Sequence, residues 1–148
     1  MKRLFFTLTV LCSLISFSSF AKGDEKVSAV VLEAFQTSFD NVSEVEWSVS
    51  DNYYKASFNM NGRYISAFYD ADGKMIAMSR NISSFELPLM LQASLKKVSE
   101  DSWISDLFEM SNEEGTTYYV TLENAGTKTI LKASSLSSWE SYQKSRKS

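Results

Sequence analysis

With 148 residues, a formal charge of −3, no His and a single Cys at position 12, the chain is long enough for one domain with its own core. It shows no basic face of the kind a nucleic-acid binder needs. The missing His and lone Cys exclude Ser-His-Asp and Cys-His machinery, His- and Cys-ligated zinc and, once the segment carrying Cys12 is removed, any disulfide.

Residues 1–21 read as a secretory signal. Lys2 and Arg3 form the charged start, Leu4 to Ile15 is a mostly apolar run, and Ser19-Phe20-Ala21 fits the small-x-small cleavage pattern. The run falls short of the roughly 20 residues of a membrane span. Val10 and Leu11 are too bulky for a lipoprotein site at Cys12. Cleavage removes two of the 15 basic side chains and leaves 13 against 18 acidic ones, a net charge of −5. The expected location is periplasmic or secreted, with no membrane span after cleavage. Residues 22–142 are expected to form one domain, followed by a frayed basic tail at 143–148.

Val27, Val31, Phe35 and Phe39 recur every fourth residue and predict a helix over Val27–Phe39, with Asp24 as its cap and Asp40-Asn41 as its end. Val45, Trp47 and Val49 alternate with polar residues and predict a strand. The stretch from Tyr53 to Ile82 then reads as a three-stranded antiparallel meander with two turns, Asn61-Gly62 and Asp70-Ala71-Asp72-Gly73. If Asn61-Gly62 is a two-residue turn, Phe58 pairs with Ile65, Ala56 with Ala67 and Tyr54 with Tyr69. If it is a three-residue bulged turn, Tyr64 and Phe68 move to that face instead. Both registers remain open at this point.

Asn81–Glu86 is a polar link. Leu87, Leu91, Leu95 and Val98 predict a second helix over 87–98, with Pro88 in its first turn and Lys96 and Lys97 in its last. Trp103–Met110, Thr116–Glu123 and Thr127–Ala133 predict three further strands, turned by Glu113-Glu114-Gly115 and Asn124-Ala125-Gly126. Trp139 and Tyr142 are spaced to share one face of a short terminal helix, or to dock directly.

The halves 24–83 and 84–134 look alike. Setting Gly62 on Gly126 places Tyr54 on Tyr118, Ala56 on Val120 and Phe58 on Leu122. The fold class is therefore α+β: tandem αβββ-type repeats forming an antiparallel sheet with two helices packed on one face.

Short motifs in this order resemble a known family. Phe39-Asp40-Asn41-Val42-Ser43-Glu44-Val45-Glu46-Trp47 is similar to the F-P-x-A-x-x-V-x-W segment of PepSY-like, beta-lactamase-inhibitor-like domains of bacterial secreted proteins. Phe68-Tyr69-Asp70-Ala71-Asp72-Gly73 resembles that family's F-D-x-D-G turn, and Leu87-Pro88 its L-P helix start. Asp40, Val42 and Tyr69 depart from the pattern at positions that shape turns. The resemblance covers roughly 27–134. It implies a tandem α+β fold in an exported protein; the family name records likeness to an inhibitor.

Candidate chemistry is sparse. Asp70-x-Asp72-Gly73 opens like a calcium loop but lacks the later ligands, so a plain turn is the better reading. Glu100-Asp101 and Glu113-Glu114 are adjacent acids in polar links, not the two separated carboxylates of a glycosidase. No catalytic, cofactor or metal residue is assigned. What remains is a surface: a sheet covered on one face leaves the other open. In the two-residue register that open face carries Tyr53, Lys55, Tyr64, Phe68 and Tyr119, a mixture of aromatics and a cation suited to binding protein. The sequence thus points to a non-enzymatic exported binding module that inhibits or modulates another exported protein. The alternatives are a small-ligand or cation binder and, more remotely, a carboxylate-based hydrolase.

Overall fold

The two residues after Met60 set the register of the sheet. Asn61 (φ 54°) and Gly62 (φ 76°) both take left-handed backbone, as a two-residue hairpin turn requires. The Asn59 side chain accepts the Gly62 N–H at 3.0 Å and pins the turn. Phe58 consequently faces Ile65, Ala56 faces Ala67 and Tyr54 faces Tyr69. Of the two registers the sequence leaves open, the chain adopts the unbulged one.

The computed structural model describes residues 26–147. The expected signal at 1–21, Cys12 and the expected cap Asp24 lie outside the described residues. Eight strands follow one another in a single antiparallel sheet, each bonded to the next: β1 (Ser43–Val49), β2 (Tyr54–Met60), β3 (Arg63–Tyr69), β4 (Met75–Asn81), β5 (Trp103–Asn112), β6 (Gly115–Glu123), β7 (Thr127–Ala133) and β8 (Glu140–Arg146). Helix α1 (Ala29–Ser38) precedes β1, and α2 (Leu89–Val98) joins β4 to β5. The protein is α+β, as its alternating and four-residue periodicities predict.

Both helices start later than expected. Ser28 caps α1: its backbone is extended and its hydroxyl accepts the Val31 N–H at 3.4 Å. Pro88 stands just before α2, and the chain ahead of it, expected as a plain link, winds into a short 3-10 turn at Ser84–Glu86. There the Glu86 carboxylate reaches back to accept the Ser83 N–H at 2.9 Å and the Ser83 hydroxyl at 3.1 Å.

Each helix buries its apolar stripe on the sheet. Val31 and Phe35 of α1 pack with Ala56, Phe58, Ile65, Ala67 and Tyr69. Leu91 and Leu95 of α2, with Leu87, pack with Leu107, Val120, Leu122 and Ala133. Pairing runs unbroken from Ile65 to Arg80, Glu109, Tyr118 and Ala133. Residues directly opposite in a ladder share a face, so both cores and both helices lie on the same side of the sheet. Between the cores this side is polar. Arg80 Nε lies 2.6 Å from Glu109 Oε1, its guanidinium 3.7 Å from Glu86 Oε1, and Arg63 reaches the same Glu86 oxygen at 2.7 Å.

The C-terminus departs from expectation. Residues 140–146 are not a helix and a frayed tail but the edge strand β8. Gln143, Lys144, Ser145 and Arg146 pair with Ile130, Thr129, Lys128 and Thr127. The Lys147 N–H donates to the Gly126 carbonyl at 3.0 Å, and its ammonium lies 2.7 Å from Glu123. Trp139 and Tyr142 do not share a face. Trp139 packs on the second core and donates its indole N–H to the Leu91 carbonyl at 3.3 Å, whereas Tyr142 meets Tyr119 on the other side.

Candidate partner-binding surface

The residues opposite those of the cores build the open face. β2 contributes Lys55, Ser57 and Asn59, which stand across from Phe68, Ser66 and Tyr64 of β3. β5 contributes Phe108 and Met110, across from Tyr119 and Thr117 of β6, and Lys132 of β7 follows Tyr119. All five residues named from the sequence, Tyr53, Lys55, Tyr64, Phe68 and Tyr119, therefore belong to this one face.

They form two aromatic groups, not one. In the first, Tyr53 meets Phe68 edge-on with ring centres 5.6 Å apart, and the Lys55 ammonium stands 5.9 Å from the Phe68 ring centre. In the second, Phe108 and Tyr119 stack nearly parallel at 5.0 Å, Tyr142 meets Tyr119 edge-on at 5.7 Å, and Lys132 stands 5.8 Å from the Tyr142 ring centre. Each group thus combines rings packed on one another with an ammonium near one of them, Phe68 in the first and Tyr142 in the second.

A groove of about 250 Å³ runs between the groups, lined by Lys55, Tyr64, Phe68, Asn81, Phe108 and Met110 among others. Its floor is small and polar. Ser66 and Ser79 line it, and Ser66 shares a 3.1 Å hydrogen bond with the buried Ser57 hydroxyl. Tyr64 is 51% exposed and Tyr142 58%. Both rings keep more than half of their surface in water.

Phe108, Lys132 and Tyr142 are members of the face that the sequence reading missed. Phe108 was accessible to it: Asp106, Phe108 and Met110 alternate against the buried Leu107. Tyr142 was hidden because 139–142 read as helical.

Three of the acids, Asp70, Glu113 and Glu86, are engaged away from this face. Asp70 Oδ1 accepts the N–H groups of Asp72 (3.0 Å) and Lys74 (2.9 Å), so this carboxylate holds its own turn together. Glu113 pairs with Lys74 at 2.7 Å. Glu86 is held down to about 2 by the Ser83 N–H and by Arg63. Among the described residues no cluster of three or more His, Cys, Asp or Glu side chains could hold a metal ion.

An eight-stranded antiparallel sheet with two helices on one side defines the class of fold, α+β, and solved structures match it in overall fold. A member of the DUF2874 family from Bacteroides uniformis matches with a TM-score of 0.70 at 17% identity, over 81% of this chain and 89% of that one. A protein from Bacteroides eggerthii, provisionally described as periplasmic, matches at 0.71 and 14% identity, over 81% and 88%. A BLIP-like protein from Bacteroides fragilis matches at 0.63 and 18% identity, over 86% and 89%. The fold is thus that of BLIP-like, beta-lactamase-inhibitor-like structures. No family model matches the chain, and no curated protein matches it.

Proposed function

We propose that this chain is an exported, PepSY-like and beta-lactamase-inhibitor-like module without catalytic activity. It binds another exported protein on the open sheet face and so inhibits or modulates it. The observation that carries this reading is the pair of cation-topped aromatic groups flanking a shallow groove. Aromatic anchors in a partly desolvated setting dominate binding energy, and the lysines favour an acidic rim on the partner. The periplasmic description of one structural neighbour and the sequence of residues 1–21 support export.

Affinity capture from an envelope fraction tests it. The chain is expected to retain a partner, and Tyr64→Ala with Phe68→Ala is expected to lose it while melting normally. Undiminished capture by the double variant would remove this face from consideration.

The groove favours one second reading, a small apolar ligand seated between Phe68 and Phe108. A ligand bound only by the folded state raises the melting temperature, so a thermal-shift screen separates the readings. Calcium belongs in the same screen, although Asp70 already serves its own turn.

A further inference from the structure

The Asn61-Gly62 turn that sets the sheet register is also chemically exposed. Of the asparagines in the chain, Asn61 is the one followed by glycine; the others precede Val42, Tyr53, Met60, Ile82, Glu113 and Ala125. A side chain shields the backbone nitrogen of its own residue, and Gly62 has none. A Cβ built on Gly62 would meet nothing within 4 Å, so the peptide between the two residues stands in open space. The Asn61 side chain is exposed as well.

One contact restrains the reaction this exposure permits. An asparagine reacts with its own chain through the backbone nitrogen of the next residue. That nitrogen must turn towards the carboxamide carbon and give up its proton. In the folded turn the Gly62 N–H is donated to Asn59 Oδ1 at 3.0 Å. Left-handed backbone at both Asn61 (φ 54°) and Gly62 (φ 76°) holds the peptide in the turn. The turn closes on Met60 and Arg63, the last pair of the β2–β3 ladder, and such tips open locally far more easily than the body of a sheet.

We propose that Asn61 is a site of slow spontaneous conversion to isoaspartate and aspartate, and that the Asn59 side chain is its latch. When the turn opens, Gly62 N bonds to Asn61 Cγ and loses its proton to solvent. The carboxamide nitrogen leaves as ammonia, and a succinimide ring remains. Water then adds to one ring carbonyl and the bond from that carbon to nitrogen breaks. Breakage at Cγ leaves aspartate. Breakage at the backbone carbonyl carbon leaves isoaspartate, whose main chain runs through Cβ and Cγ. The net change is water consumed and ammonia released, with nothing oxidised or reduced. Isoaspartate lengthens the main chain inside a turn built for two residues, and either product places a new carboxylate two residues before Arg63. Conversion therefore loosens the pairing of Asn59 with Tyr64, where the open face begins. The site does not depend on the partner reading of that face.

Ageing the full chain at mildly alkaline pH tests this. Cleavage after Lys55 and Arg63 releases Ala56–Arg63, in which fragment masses separate position 61 from position 59, and an isoaspartyl methyltransferase labels the isoaspartate. Asn61 is expected to convert ahead of every other asparagine, and faster in urea than in the folded chain. Folded Asn59→Ala is expected to convert roughly fivefold faster than folded wild type, the factor that one ordinary hydrogen bond supplies. In urea the two should convert alike, which assigns the difference to the turn. Asn59→Asp keeps an acceptor for the Gly62 N–H and should stay near the wild-type rate. Intact Asn61 after ageing in both conditions would overturn the proposal. So would equal rates for folded wild type and Asn59→Ala, or an Asn59→Asp rate as high as that of Asn59→Ala.

Discussion

Gly62 and Gly73 both occupy turns with positive φ, at 76° and 80°, but their surroundings differ. A Cβ on Gly62 meets nothing within 4 Å, whereas on Gly73 it would lie 2.9 Å from Val30 Cγ1 and 3.1 Å from the Val30 carbonyl. Gly62→Ala should therefore cost about 1 kcal/mol for backbone strain alone. Gly73→Ala adds displacement of α1 and should cost about 2 kcal/mol or more, measured by urea unfolding. Equal losses would refute the close approach of helix and turn. Tyr69 is buried, which pushes its phenol up to about 12. The nearby Ser38 hydroxyl offsets a little of this, but it donates to the Ala34 carbonyl at 2.9 Å, and among the described residues the Tyr69 hydroxyl has no hydrogen-bond partner. Tyr69→Phe should leave stability unchanged or raise it by about 1 kcal/mol; a clear loss would reveal a partner for the hydroxyl. Glu86 has the opposite shift, from an ordinary 4.5 down to about 2, through the Ser83 N–H first and Arg63 second. A carboxyl whose pKa is lower folded than unfolded stabilises the fold above its unfolded value, and that contribution disappears as pH falls toward its folded value. Glu86→Gln should thus melt below wild type at neutral pH, with the gap closing between about pH 4.5 and pH 2. A constant gap across that window would contradict the assignment.

At the level of elements, the sequence was most legible where burial imposes a period. The stripe Val31–Phe35 and the alternation Tyr54–Ala56–Phe58 each have one side in a core, and both elements lie where their periods put them. The hairpin register was not legible, because Asn-Gly is compatible with both turn lengths; it is decided by positive φ at both residues and by the Asn59 side chain. β8 was illegible for the reverse reason. Every residue from Glu140 to Arg146 is exposed, so no hydrophobic alternation marks it as a strand. What holds it is backbone pairing to β7 and the anchoring of Trp139 just before it. Trp139→Ala should cost about 2–4 kcal/mol and, in hydrogen exchange, lower protection of α2 and β8 more than that of β2 and β3. Uniform loss across the sheet would indicate that Trp139 is not a local clasp. The internal duplication inferred from Gly62 and Gly126 is our proposal; each helix is followed by four strands and not by the three of an αβββ unit, and β8 carries the second set past residue 134.

The whole molecule is one sheet with two cores on a single side and an ion-paired seam of Arg63, Arg80, Glu86 and Glu109 between them. Placing both helices together leaves the other side to its own side chains. There the sequence supplied Tyr53, Lys55, Tyr64, Phe68 and Tyr119, but not their division into two groups. That division depends on which strands are neighbours, and in particular on β4 joining β5 across the intervening helix. The central claim is that this side meets a partner protein, and crosslinking from a chosen position examines it directly. A photo-crosslinking residue at Tyr64 in cells exporting the protein should yield a discrete adduct with another exported protein. The same residue at Gln36, on the exposed side of α1, should yield none. The contrary result, an adduct from Gln36 and none from Tyr64, would place the contact on the helical side and contradict the account.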